Sequence, residues 1–108
     1  MLTRTAVFEG KIREGQEGAF YAFVEQRLLP LWRQFPQAQN VRVLRPIKPD
    51  LDAPPVALML AIDFPSLAAI DEALASETRT QARAATMELV KMFEGRYYHV
   101  VFDRIGAA

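Results

Sequence analysis

The sequence predicts an α+β fold in which strands and helical segments follow one another in the order βαββαβ. Four segments are alternating or continuously apolar, as strands are, and two segments between them carry apolar residues at spacings of three and four, as helices do. The chain of 108 residues fits a single domain, residues 1–108. We expect one four-stranded antiparallel sheet with helices on one face.

The first strand and the first helix come from the N-terminal third of the chain. Residue types alternate from Leu2 to Glu9, and Gly10 opens a glycine-containing turn. An apolar stripe then runs from Phe20 to Phe35 at helical spacing. Pro30 lies inside that stripe and cannot donate a backbone hydrogen bond, so we expect a kink there or an early end of the helix.

The second and third strands follow a short loop that begins after Phe35. Val41 to Pro46 alternate, and the run from Pro55 to Phe64 is almost continuously apolar, as in a central strand with both faces covered. Its bulky set suits the helix side and comprises Val56, Leu58, Leu60, Ile62 and Phe64. Its other set points to the opposite face and comprises Ala57, Met59, Ala61 and Asp63.

The last third of the chain predicts two short helices and a fourth strand. Ser66 and Ser76 are suited to cap helices, the second of which is expected to reach about Phe93, with Gly95 as its terminator. Arg96 to Arg104 alternate as a strand does. We expect Tyr97, His99, Val101 and Asp103 to share the face turned away from the helices, and Tyr98 to pack under the helices.

The order of elements also predicts a dimer. Right-handed crossovers place both helical segments on the same face of the sheet, which leaves the other face open and mainly apolar. A second copy, with its own sheet opposite, would cover that face. Small side chains between the two sheets would leave a cavity, so a homodimer with a small apolar or aromatic ligand is expected.

Several segments resemble the dimeric α+β barrel superfamily, whose fold is ferredoxin-like, and within it the EthD-like branch. They are the DFPSLAAIDEALAS run of residues 63–76, the helix with Arg79 and Arg83, and the closing GRYYHVVF of residues 95–102. The resemblance covers nearly the whole chain and implies two copies forming one barrel. The superfamily includes cofactor-free monooxygenases, muconolactone isomerases, haem-degrading enzymes and binding modules, and EthD-like proteins accompany the degradation of ethers and aromatic compounds.

The candidate catalytic residues are His99 and Tyr97. His99 is the only histidine, and its ordinary pKa near neutrality suits a general base. Tyr97 would orient a substrate oxygen. The alternative is that His99 only forms a hydrogen bond across the dimer seam, because buried polar groups are normally paired.

The candidate ligand-binding residues are Arg42, Met59, Asp63 and Trp32. Arg42 would need an anionic partner, which is either a ligand or a carboxylate such as Asp63. Met59 lies on the open face, and Trp32 would either wall the cavity mouth or belong to the core. Arg79 and Arg83, one helical turn apart, either hold an anion or form a solvated helix face.

Composition excludes several classes of function. Thirteen basic and thirteen acidic residues balance, so neither nucleic acid nor an anionic membrane is an expected partner. One histidine and no cysteine disfavour a metal site, and no nucleotide-binding or hydrolase motif predicts a cofactor. Haem on a strand histidine between two sheets is disfavoured. A cytoplasmic location is expected.

Two hypotheses about the function remain. The first is an enzyme or enzyme accessory that acts on an aromatic or oxygenated apolar compound, and the second is a non-catalytic binding or structural dimer.

Overall fold

One antiparallel sheet organises the chain, for which the computed structural model describes residues 1–106. Its strands are β1 (Leu2–Ile12), β2 (Gln39–Leu44), β3 (Val56–Phe64) and β4 (Phe93–Asp103), in the spatial order β2-β3-β1-β4. All neighbouring strands are antiparallel. The βαββαβ order predicted from the sequence is therefore confirmed, and the fold is ferredoxin-like.

The first helical segment changes its winding before Pro30. It consists of α1 (Glu17–Phe23), a π-helical turn (Val24–Leu28) and α2 (Leu29–Arg33). The backbone N–H of Leu29 donates to the carbonyl of Val24, one residue further back than in an α-helix. Because proline has no N–H to donate, one α-helical hydrogen bond is lost at Pro30, and the wider turn accommodates this loss. The expected disturbance at Pro30 takes this form.

The second helical segment begins at two serine caps, as predicted. It consists of α3 (Leu67–Leu74), α4 (Glu77–Leu89) and a 3₁₀ turn (Val90–Met92). The Ser66 hydroxyl accepts from the N–H of Ala69 at 3.1 Å, and the Ser76 hydroxyl accepts from the N–H of Arg79 at 3.2 Å. The expectation that this segment runs to about Phe93 is confirmed, because the 3₁₀ turn ends at Met92 and β4 begins at Phe93.

Gly10 and Gly95 lie inside strands, so their predicted roles in a turn and at a helix end are wrong. They face each other across β1 and β4. A Cβ on Gly95 would lie 2.2 Å from the carbonyl oxygen of Glu9, and one on Gly10 would lie 2.1 Å from that of Glu94. Both positions therefore require glycine for the close approach of two backbones, and the paired strands extend past the predicted turn.

The core lies between the sheet and the helices. From Leu58 to Phe64 the bulky set of β3 faces that side, as predicted, because Leu60 pairs with Ala6 and Leu58 with Phe8. Leu58, Ile62 and Phe64 are almost fully buried there, together with Phe20 and Leu28 of the first helical segment. Met59, Ala61 and Asp63 face the other way, as predicted. The prediction is wrong for Val56 and Ala57, because a register shift places Val56 opposite Glu9 and brings Ala57 into the core.

The opposite face of the sheet has no covering layer within residues 1–106. It carries exposed apolar side chains on both edge strands, namely Leu44, Tyr98, Val100 and Phe102. Leu44 and Phe102 keep about half of their surface, 50% and 51%. We call this surface the open face, and its apolar composition agrees with the prediction.

Candidate functional site

The pairing of β4 with β1 decides which way Tyr97 and His99 point. Tyr97 lies opposite Phe8 and His99 lies opposite Ala6, both of which belong to the core on the helix side. Tyr98 lies opposite Val7, on the open face. The expectation that Tyr97 and His99 face a second sheet is therefore wrong, as is the expectation that Tyr98 packs under the helices.

Tyr97 and His99 line a cavity between the sheet and the helices. Its volume is about 350 Å³, at the lower end of the range for small-molecule sites. The residues that line it come from β1, α2, β3, α4 and β4, with Phe35 from the loop after α2: Arg4, Ala6, Phe8, Trp32, Phe35, Leu60, Arg79, Ala82, Arg83, Thr86, Tyr97 and His99. The site is thus on the other side of the sheet from the one predicted.

Part of the cavity surface is aromatic, and we call Phe8, Trp32, Phe35 and Tyr97 the aromatic wall. The rings of Phe8 and Tyr97 stack with centroids 5.2 Å apart. Tyr97 in turn meets the His99 ring edge-on at 5.9 Å. Trp32, predicted as either mouth or core, is 5% exposed and serves as both wall and core. These surfaces favour a flat, apolar ligand.

Another part of the cavity surface is positive, and we call Arg4, Arg79 and Arg83 the cationic wall. Within residues 1–106 none of these guanidinium groups forms an ion pair or a hydrogen bond with another side chain. Burial, and then the charge of Arg79, lower the pKa of Arg4 below its ordinary value. The two like charges therefore lie close enough to repel each other.

His99 lies on the edge strand at the mouth of the cavity, where its side chain remains partly exposed. Burial of the rest of the ring, together with the charges of Arg4 and Arg79, lowers its pKa to about 4. The imidazole is therefore neutral at pH 7 and presents a lone pair. In the described part of the chain His99 has no hydrogen-bond partner. A purely structural role would require a hydrogen bond, and residues 1–106 of the same chain do not provide one.

Arg42, Asp63 and Met59 lie outside this cavity, on the open face. Nη2 of Arg42 is 2.6 Å from Oδ1 of Asp63, and Thr3 donates a hydrogen bond of 2.7 Å to the same oxygen. Burial acts to raise the pKa of Asp63, but the hydrogen bonds from Thr3 and Asn40 and the charge of Arg42 outweigh it and lower the pKa. Arg42 and Asp63 therefore form an ion pair with each other, which was the alternative to a role of Arg42 in holding a ligand.

Arg4 was not identified from the sequence, and Arg79 and Arg83 were not among the main candidate ligand-binding residues. Arg4 shares a strand face with Ala6 and Phe8, and a charge on the apolar face of a central strand is the signal that identifies it. Arg79 and Arg83 lie one turn apart on the side of α4 that borders the cavity. Arg79 is half-buried there, whereas Arg83 is exposed, so both alternatives for this pair stay open.

Residues 1–106 meet neither the requirements of a metal site nor those of a membrane-spanning helix. No group of three or more His, Cys, Asp or Glu side chains is placed to hold a metal ion. None of the helices in this range has the length and apolar character needed to cross a membrane. The functional groups that line the cavity include the neutral imidazole of His99, the phenol of Tyr97 and three guanidinium groups.

No protein-family model and no curated protein sequence matches the chain. Solved structures do match its fold. An EthD family protein from Bacillus halodurans C-125 superposes with a TM-score of 0.74 at 15% identity, over 97% of this chain and 99% of that one. A dimeric protein of unknown function from Bacteroides fragilis NCTC 9343, with a ferredoxin-like fold, gives 0.71 at 10% identity over 95% of both chains.

A cofactor-independent oxygenase from Streptomyces nogalater is also similar, with a TM-score of 0.66 at 16% identity over 98% of this chain and 94% of that one. At these identities the comparisons establish the fold, which is that of EthD-like and other ferredoxin-like proteins.

Proposed function

We propose that the protein is a homodimer in which each chain binds an aromatic or oxygenated apolar small molecule between sheet and helices, and acts on it there. The observation that carries this is the convergence of the aromatic wall, a neutral imidazole and a phenol on one cavity of about 350 Å³. Sites that bind small molecules are mostly apolar with a few converging polar groups. This cavity combines apolar and aromatic side chains with a larger share of polar and charged ones than is usual for such sites.

His99 and Tyr97 are the residues proposed to act on the ligand. The imidazole is neutral at pH 7, because burial and neighbouring charges lower its pKa to about 4, and it can accept a proton from a substrate at the mouth. The Tyr97 side chain stacks on Phe8 and is fixed by it. Its hydroxyl is free of hydrogen bonds to the described residues and is available to orient a substrate oxygen.

The structural neighbours support this class of function without fixing the reaction. They include a cofactor-independent oxygenase and an antibiotic biosynthesis monooxygenase. In this chain His99 is the group at the cavity that could accept a proton from a substrate. A monooxygenase-like or isomerase-like reaction started by proton removal is therefore the proposed enzymatic form.

The dimer is proposed to form through the open face. Leu44, Tyr98, Val100 and Phe102 expose apolar surface there, and Arg42 and Asp63 are already paired with each other. A second sheet packed on this face would bury the apolar side chains and protect the long edge strand β4. A structural neighbour from Bacteroides fragilis is described as dimeric.

Ligand binding is tested with Trp32, the only tryptophan of the chain. Its fluorescence should change saturably when phenols or aromatic lactones enter the cavity. Ala82 is buried and lines the cavity, whereas Ala84 on the same helix is exposed. Ala82→Phe should abolish the fluorescence change and Ala84→Phe should keep it, with circular dichroism confirming the fold of both. Equal binding by the two variants would contradict the proposed site.

A non-catalytic binding dimer is the second candidate, and the low pKa of His99 favours it, since a base with a pKa of about 4 is weak. The two candidates differ in turnover. Wild type and His99→Ala are compared for oxygen consumption with phenols and for isomerisation of unsaturated lactones. An enzyme loses turnover in the variant while still binding the compounds. Binding without turnover in the wild type would support the second candidate.

A further inference from the structure

We infer that the ligand of this cavity is an aromatic anion, whose carboxylate or phenolate group is held by Arg4 and Arg79 while its ring lies against the aromatic wall. The inference rests on the proposed function and narrows it to one substrate class.

Three half-buried arginines have different surroundings on the two faces of the sheet. On the open face, Arg42 is paired with Asp63 and needs no further counter-charge. On the helix side, Arg4 and Arg79 are also half-buried, yet residues 1–106 place no carboxylate beside them. A partly desolvated guanidinium is costly without an anionic partner, so a partner from outside the chain is expected at this site.

No element that borders the cavity supplies an opposing charge. β1 contributes Arg4, α4 contributes Arg79 and Arg83, and β4 contributes Tyr97 and His99, while the lining residues of α2 and β3 and of the loop after α2 are apolar. His99 is neutral at pH 7 and adds no repulsion. One anionic group on the ligand would relieve the repulsion between Arg4 and Arg79 and form charge-assisted hydrogen bonds with both.

The rest of the ligand is specified by the aromatic wall. Trp32 and Phe35 are buried, and Phe8 and Tyr97 form a stacked pair. Flat apolar surface beside guanidinium groups fits a ring that carries its charge at one edge. A small inorganic anion would leave the aromatic wall uncovered, and a neutral aromatic compound would leave the cationic wall without a counter-charge.

The test compares 2-naphthoate with 2-naphthamide, which have nearly the same shape but differ in charge. Isothermal titration calorimetry with wild-type protein at pH 7 should show the anion binding about tenfold more tightly or better, because hydrogen bonds to charged groups are the stronger ones. Raising the salt concentration should weaken the naphthoate complex and leave the amide complex unchanged.

Variants then locate the charge. Arg79→Gln and Arg4→Gln should each weaken naphthoate binding about tenfold and leave naphthamide binding unchanged. Arg33→Gln is the matched control, because Arg33 is exposed on α2 and does not line the cavity. Having two cavity variants keeps the test decisive if one of them fails to fold.

The possible outcomes separate this inference from the proposed function. Equal affinity for the anion and the amide would overturn the anion assignment while leaving the cavity as a small-molecule site. Preference for the anion that survives both cavity variants would overturn the role of Arg4 and Arg79. Failure of both compounds and of every neutral aromatic compound to bind would overturn the inference and the proposed function together.

Discussion

Burial is the main reason why the pKa of His99 is lowered to about 4, and the positive charges of Arg4 on β1 and Arg79 on α4 add to it. Tyr97 contacts the ring edge-on. A pKa of about 4 leaves the imidazole neutral over the whole physiological range. An anion bound to Arg4 and Arg79 would offset the contribution of the two charges and raise the pKa of His99.

The pKa of His99 can be measured without ambiguity, since the chain has one histidine. We predict that the Cε1 proton resonance of His99 titrates near pH 4 in wild type, and that Arg79→Gln moves the midpoint towards 6.5. Arg33→Gln should leave it unchanged. A midpoint at or above 6.5 in wild type would contradict the electrostatics described for the site.

The same depressed pKa determines how stability depends on pH. Between about pH 4 and pH 6.5 the unfolded chain binds more protons at this histidine than the folded chain does. The contribution of His99 to the free energy of unfolding therefore falls as the pH is lowered through that window, and is constant above it. His99→Gln should remove this part of the pH dependence.

The faces of β3 could be predicted from the sequence, whereas those of β4 could not. In β3 the bulky and small residues alternate, so only one assignment buries the large side chains. In β4 both alternate sets contain aromatic and β-branched residues, for example Tyr97 with Val101 and Tyr98 with Val100. The pattern is nearly symmetric, and only the register against Ala6 and Phe8 places His99 on the helix side.

At the scale of elements, α4 is the part of the fold that brings two arginines to the cavity. Its first turn is fixed by Ser76, whose hydroxyl accepts from the N–H of Arg79 at 3.2 Å and donates to the carbonyl of Ala73 at 2.6 Å. The same backbone position carries the Arg79 side chain into the site. Helix capping and the proposed ligand contact thus involve the same residue, Arg79.

We predict that Ser76→Ala lowers the free energy of unfolding by about 1 kcal/mol, the usual cost of losing a helix cap. It should also weaken binding of an anionic ligand, because the first turn that holds Arg79 becomes less ordered. Urea unfolding and calorimetry measure the two effects. Ser66→Ala, which removes the cap of α3, should cost similar stability without affecting binding. Identical ligand affinities for both variants would contradict the link to Arg79.

Local signals predicted the helix starts but not the π-helical turn. The serine caps act within one turn, so their sequence signature is sufficient. The position of Pro30 indicates that a backbone hydrogen bond must be lost, but several backbone arrangements meet that condition. Leu28 and Trp32 both belong to the core cluster, and the wide turn is the arrangement that keeps them there. These contacts involve residues far away in the sequence, so a local pattern does not indicate them.

At the scale of the whole molecule, the two faces of the sheet have separate roles. The helix side contains the core and the cavity, while the open face carries Leu44, Tyr98, Val100 and Phe102, which form the proposed dimer interface. The fold was predictable because the order of strands and helices determines which layers form. The location of the site was not, because both faces offered small and polar residues and only the strand register distinguishes them.

We predict that Met59→Arg breaks the dimer, because Met59 lies half-buried on the open face opposite Val7 and Leu44. Light scattering should give a mass of twice 12.2 kDa for wild type and of one chain for the variant. Met87→Arg introduces the same charge at an exposed position of α4 and should remain dimeric. A wild type with the mass of a single chain, even when concentrated, would show that the open face is not an interface.

The proposed ligand site lies between the sheet and the helices and not between two sheets, and a crystal structure of the protein grown with 2-naphthoate tests this location. We expect the ring beside Trp32 and Phe35, with the carboxylate within hydrogen-bond distance of Arg4 and Arg79. Naphthoate found only at the seam between two open faces, with the helix-side cavity empty, would show that the location is wrong.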